Sequence, residues 1–137
     1  MAMTAHVVFT AMDPVLPATT SSTMIYKVIR EFIGFDGLLM SDDVSMGALS
    51  GSIGARTAAA LAAGCDVVLH CNGNIEEMRE VAANAPVLTG DAKRRADAAL
   101  ASRRRSPKPL DRSATVAEFR RLMGDWAATG RDSGATV

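Results

Sequence analysis

At 137 residues, with 48% hydrophobic and 22% charged side chains and a formal net charge of zero, the chain suits one globular domain with a single core. No apolar run approaches the roughly 18 residues that span a bilayer, which excludes a helical membrane anchor. Residues 1–9 lack the basic start, apolar centre and small-residue cleavage site of a secretory signal, so a cytoplasmic location is expected.

In chain order, the first strong periodicity lies in "SSTMIYKVIREFIG" (residues 21–34). Met24, Ile25, Val28, Ile29, Phe32 and Ile33 form one stripe at 3.6 periodicity, with Ser and Thr able to cap before it and Gly34 after it. Two segments thirty residues apart then echo each other without gaps, "GFDGLLMSD" (34–42) and "GCDVVLHCN" (64–72). Each opens with a Gly suited to closing a helix in the left-handed conformation, and each continuous apolar run suits a parallel strand buried on both faces. Between the echoes, "ARTAAALAAG" (55–64) is a helix ending on Gly. After them, "NIEEMREVAANA" (74–85) sets Ile75, Met78, Val81 and Ala82 on one helical face behind a capping Asn74. Strands alternating with helices at this spacing indicate right-handed βαβ units in a parallel sheet.

Beyond Pro86 the strand signal stops. "DAKRRADAALASRRR" (91–105) and "SATVAEFRRLMGDW" (113–126) read as helices, the second striped by Val116, Phe119, Leu122, Met123 and Trp126. "SPKPLD" (106–111) reads as a turn or short linker, and residues 128–137 as a frayed end. Charge divides along the same boundary. Residues 1–90 carry nine acids against four bases, residues 91–137 eleven bases against six acids. With few aromatics to stack on bases, the basic stretch reads as a solvated helix face, and no nucleic-acid partner is expected. Cys65 and Cys71, six residues apart on a strand, would lie roughly 20 Å from each other, too far for a disulfide. Two free thiols fit a reducing compartment.

Functional groups in parallel α/β sheets gather at the carboxyl ends of strands. Asp42 and Asn72 occupy equivalent positions there in the two echoes. Asp42 is read as the functional carboxylate at the mouth of the sheet and Asp43 as its supporting neighbour, organising the loop. "GALSGSIG" (47–54) lacks the Gly-Lys-Ser/Thr ending of a phosphate-cradling loop and reads as a flexible loop. His6, His70 and Cys71 show no metal-ligand spacing with Asp42, so no metal and no cofactor are expected.

Three stretches, "MTAHVVFTAMDP" (3–14), "IGFDGLLMSDDVSM" (33–46) and "LAAGCDVVLHCNG" (61–73), resemble in order the C-terminal part of bacterial β-N-acetylglucosaminidases of glycoside hydrolase family 3. The resemblance implies a (β/α)8 barrel and a retaining mechanism whose nucleophile is the first Asp of the Ser-Asp-Asp motif, which maps onto Asp42. It implies His6 and Met46 near the sugar, and a cytoplasmic role in peptidoglycan recycling on N-acetylglucosamine-containing muropeptides or oligosaccharides.

A full barrel takes about 250 residues. This chain matches about three βα units, the sixth to eighth, over residues 1–90, followed by a helical extension over 91–137. The family's acid/base, a His–Asp pair on a loop after an earlier strand, and its Lys-His-Phe-Pro-Gly-His-Gly region fall outside the matching stretches. The chain is therefore expected to be a fragment, inactive or nearly so alone, with a complementing N-terminal fragment as a partner. The alternative is a non-catalytic sugar-binding or interaction module. Whether the whole enzyme would hydrolyse or phosphorolyse its substrate is not written in these residues.

Overall fold

The computed structural model describes residues 1–103 and 109–129, with the side chains of 125–129 set aside. It divides into two units, Met1–Arg104 and Arg105–Val137. The first unit is an α/β arrangement around a small parallel sheet. Strands β1 (Ala2–Met3), β2 (Leu39–Asp43) and β3 (Val67–Leu69) lie in that order, with Ala2 beside Leu39 and Met40 beside Val67. A 3-10 turn at Ala18–Thr20 and a helix at Thr23–Phe32 connect β1 to β2, and α1 (Ile53–Ala63) connects β2 to β3. Two further helices follow, α2 (Ile75–Asn84) and α3 (Gly90–Ser102). The alternation expected from the echo is thus present.

The core sits between the sheet and two of these helices. Ile25, Leu39, Ala60, Ala63 and Cys65 form it, and Ala2, Ile29, Phe35 and Val68 pack against it. Each strand contributes one residue to this face. Burying a side chain such as Ile25 or Leu39 contributes roughly 1.5–3 kcal/mol each.

Gly64 closes α1 at φ +113°, a left-handed cap whose N–H donates to the carbonyls of Ala60 and Leu61. A Cβ there would lie 2.9 Å from Ile25 Cγ2, so the glycine also lets α1 approach the preceding helix. At its other end α1 begins with Ser52, whose hydroxyl accepts from Ala55 N–H at 3.2 Å. The stretch expected as a flexible loop up to residue 54 therefore ends two residues earlier. Ser52 is a good cap, and Ile53 and Gly54 already make the first helical turn.

Three other expectations meet differences. The helix Thr23–Phe32 is wound in the wider π form, and beyond its end Ile33 N–H donates to Val28 O, five residues back. That winding turns the 3.6-residue stripe out of register. Met24 and Ile25 are buried, whereas Phe32 is 87% exposed and Ile33 is exposed too. In α2 the apolar face stays largely outside, with Ile75 and Met78 exposed. Its anchor to α1 is polar instead, Gly54 N–H donating to Glu80 Oε2 at 3.1 Å.

The basic stretch expected to be a solvated face is partly docked. Arg95 of α3, only 15% exposed, donates to Asp36 Oδ1 and to Asp66 Oδ1, both at 3.0 Å. Asp36 and Asp66 are the third residues of the two echoes. Asp66, 4% exposed, accepts in addition from Arg30 and from Leu39 N–H, both at 2.8 Å. A carboxylate this deep persists because both of its oxygens meet donors, two of them arginines.

The second unit contains α4 (Arg112–Thr129), which includes the expected helix. Its Val116, Phe119, Leu122 and Met123 are exposed. The side chain of Trp126, the first half of the expected linker and most of the expected frayed end lie outside the described residues. Among the described residues no helix is long and apolar enough to cross a membrane.

Candidate active site at the strand ends

The end of β2 departs from regular pairing. Met40 faces Val67 and Asp43 faces Leu69, so β2 advances three residues where β3 advances two. The extra residue is a β-bulge falling on Ser41 and Asp42, a device that re-aims a side chain at the end of a strand. Ser41, fully buried, mends the ladder, since its Oγ accepts from Leu69 N–H at 3.0 Å. Val44 N–H then donates to Leu69 O at 2.9 Å and resumes the pairing.

Asp42 is half-buried at this bulge. Its Oδ1 accepts from the N–H of Asp43 at 2.8 Å. Asp43 turns its own carboxylate into the loop. Oδ1 accepts from Ser45 N–H at 2.9 Å and Cys71 N–H at 3.3 Å, and Oδ2 accepts from Ser45 Oγ–H at 2.8 Å. Partial burial pushes the Asp43 pKa up, but the Ser45 and Cys71 donors and the nearby His70 outweigh it and hold the carboxyl below its ordinary range.

His6 joins the same residue from β1's side. Its Nε2 lies 2.9 Å from the carbonyl oxygen of Asp43, and its Nδ1 lies 2.8 Å from Thr19 Oγ1. The same Asp43 carbonyl accepts from Met46 N–H at 3.1 Å, while the Met46 side chain is exposed. Asp42, Asp43, His6 and Met46 are therefore brought together, with Asp43 as the hub. Arg56 of α1 braces the following loop by donating to the carbonyls of Val44, Met46 and Gly51.

On the neighbouring strand end, His70 has its side chain 5% exposed and its Nε2 2.8 Å from Glu77 Oε2. Asn72 donates to the same oxygen at 2.6 Å. These two hydrogen bonds, His70 first, hold the Glu77 carboxyl below its ordinary value. Asn72, equivalent to Asp42 in the echo, also accepts from Asn74 N–H at 2.8 Å and serves the turn into α2. Both imidazole nitrogens of His6 and Nε2 of His70 thus have protein partners.

Thr4, Thr19 and Ser41 also belong to this site, Thr4 and Ser41 from within the stretches that carry the resemblance and Thr19 from outside them. Each is buried, and each acts across a long stretch of chain. A buried hydroxyl in an apolar setting is the signal that a sequence offers, and it does not name the partner.

Comparison with known proteins places this geometry. The model of the glycosyl hydrolase family 3 N-terminal domain matches residues 1–101. The β-hexosaminidase of Alkalilimnicola ehrlichii is 49% identical over 72 residues, which are 51% of this chain and 20% of that protein. A Vibrio cholerae β-hexosaminidase is 43% identical over 88 residues, 63% of this chain and 26% of that protein. The chain thus spans about a fifth to a quarter of the length of these relatives. Among solved structures, the β-N-acetylhexosaminidase of Beutenbergia cavernae aligns with a TM-score of 0.54 at 32% identity, over 73% of this chain and 28% of that one. The β-N-acetylglucosaminidase of Thermotoga maritima aligns at 0.56 and 30%, over 74% and 25%. The match runs through both echoes and the bulged Ser-Asp-Asp strand end, and by it the chain belongs to glycosyl hydrolase family 3.

Proposed function

We propose that Asp42 is the nucleophile of a retaining β-N-acetylhexosaminidase, and that residues 1–90 form the last three units of a (β/α)8 barrel with residues 91–137 as a helical extension. The observation that carries the reading is the placement of Asp42 in a bulge at the C-terminal end of the central strand, with Oδ1 anchored by the next peptide N–H. Such a carboxylate is rigidly held and keeps its second oxygen for chemistry. That oxygen would bond to the anomeric carbon as the glycosidic oxygen leaves with a proton from the acid. Water, deprotonated by the same group, would then cleave the glycosyl ester and restore the carboxylate. Asp43 supports the strand end, and His6 and Met46 flank the sugar.

The relatives named for β-hexosaminidase activity support a terminal N-acetylglucosamine as the group removed; its carriage on a muropeptide or oligosaccharide, in cytoplasmic peptidoglycan recycling, is the setting proposed. The acid/base of the family belongs to an earlier strand, and general acid–base catalysis is typically worth about 10²–10⁴-fold. The chain alone is therefore inactive or nearly so, and works with a complementing N-terminal portion.

The test is hydrolysis of an aryl β-N-acetylglucosaminide by this chain alone and mixed with the N-terminal three-quarters of a homologous β-hexosaminidase. Turnover is expected in the mixture only, and should vanish with Asp42→Asn. Undiminished turnover in the Asp42→Asn mixture overturns the assignment.

A further inference from the structure

The reading of Asp42 as nucleophile requires its strand end to be held still, and one fully buried polar group that bears on it belongs to another loop. Thr19 lies on the 3-10 turn Ala18–Thr20 and is fully buried. Its Oγ1 is 2.8 Å from His6 Nδ1 and 2.9 Å from Thr4 Oγ1. Its backbone carbonyl faces the Cys65 thiol at 3.8 Å. Burial pushes that thiol up to about 11, so it keeps its proton and can donate. The loop bearing Thr19 is itself tied down. Asp13 Oδ1 accepts from Val15 and Leu16 N–H at 3.0 Å, and its Oδ2 accepts from Ser21 Oγ–H at 2.6 Å.

The direction of the chain of hydrogen bonds follows from its end. The Asp43 carbonyl only accepts, so His6 Nε2 carries a proton. In a neutral ring Nδ1 is then an acceptor, and the Thr19 hydroxyl must donate to it. With its proton committed, Thr19 Oγ1 accepts from Thr4. The order is Thr4 to Thr19 to His6 to the Asp43 carbonyl.

We infer that Thr19 is a positioning residue for Asp42. Its hydroxyl holds His6 as the neutral Nε2–H tautomer, and His6 in turn fixes the Asp43 carbonyl. Asp43 offers its N–H to Asp42 Oδ1 and its carbonyl to His6 and to Met46 N–H, so one residue transmits the restraint in both directions. The inference rests on the catalytic reading of Asp42 for its purpose, but its physical content does not.

The experiment is long-range ¹H–¹⁵N NMR of the two imidazoles in the full 137-residue chain, His6 being assigned by the signals lost in His6→Gln. The unaltered chain is expected to show a protonated Nε2 and an unprotonated Nδ1 on His6. Thr19→Val should shift the Nδ1 resonance, erase the slowly exchanging Nε2–H signal, and move the Asp42 carboxyl carbon and the Met46 amide. Thr19→Ser should restore all of them. Thr4→Val removes a comparable buried hydroxyl but leaves Thr19 its proton, so the His6 pattern should survive. An Nδ1–H tautomer in the unaltered chain overturns the inference. So do His6 and Asp42 signals that are indifferent to Thr19→Val in a chain with a dispersed amide spectrum. If Thr19→Val does not fold, failure of Thr19→Ser to keep the Nε2–H pattern, or its loss in Thr4→Val, overturns it equally. Loss of turnover in the Asp42→Asn mixture is a separate result, so either idea can fail without the other.

Discussion

Asp43 satisfies three donors with one carboxylate, two from Ser45 in the loop after the central strand and one from Cys71 just beyond β3. Asp43→Ala leaves them without partners and is expected to cost about 1–3 kcal/mol, read from the midpoint of urea unfolding at constant slope. The pH dependence has a definite sign. The folded pKa of Asp43 lies below its ordinary 3.8, so the unfolded chain binds the proton more readily. Stability from this group is complete above that value and is lost as pH falls through the lower folded value. Unfolding midpoints measured from pH 5 down to pH 3 should therefore fall less steeply in Asp43→Ala than in the unaltered chain. The adjacent acids of the sequence divide into a held carboxylate and a loop organiser because the bulge gives them different surroundings. The doubled acid suggests that division, but the sequence does not say which donors each carboxylate meets.

At the scale of elements, helix ends were the most readable features. Gly64, expected as a closing residue, is at φ +113° against Ile25 and Tyr26. Gly64→Ala should cost about 1–3 kcal/mol, through left-handed backbone strain with a 2.9 Å approach to Ile25 added, measurable by thermal or urea unfolding. Asn74 caps α2 as its place before "IEEM" suggests, accepting from Glu76 N–H at 3.0 Å. Less readable was how elements meet. The π winding of the first helix depends on hydrogen bonds that the 3.6 pattern of its apolar residues does not encode. The clasp of Arg95 by Asp36 and Asp66 joins residues 29 and 59 positions apart. Asp66→Ala would remove the buried acceptor that Arg30, Arg95 and Leu39 N–H share, leaving Arg30 on the carbonyls of Phe35 and Gly37 and Arg95 on Asp36, and we expect a loss of about 1–3 kcal/mol with early melting of α3 in hydrogen exchange. Asp36 is largely exposed, so its pairs with Arg94 and Arg95, which draw its pKa down to about 2, should weaken in salt and matter less than Asp66.

For the molecule as a whole, the outer edges of β1 and β3 have no strand partner among the described residues, and Met1, Met3, Val7, Val8 and Phe9 beside β1 are exposed. An open parallel edge beside apolar surface pairs readily with other chains. Sedimentation velocity should show association that rises with concentration, reduced by the complementing N-terminal portion of a homologue. A monodisperse monomer at high concentration would argue against the proposed barrel-completing partner.

What the sequence determined by itself was the order of helices and strands, the parallel echo, and the position of two adjacent acids at the end of the first echo strand. These depend on periodic burial and on capping, which are local and leave a mark every two or four residues. The tertiary structure alone decided that Asp42 stands in a bulge, that Thr19 reaches His6, and that an arginine of α3 closes on both echo aspartates. Each of these is a contact between distant segments, and a buried polar group finds its partner only when the fold brings the two together.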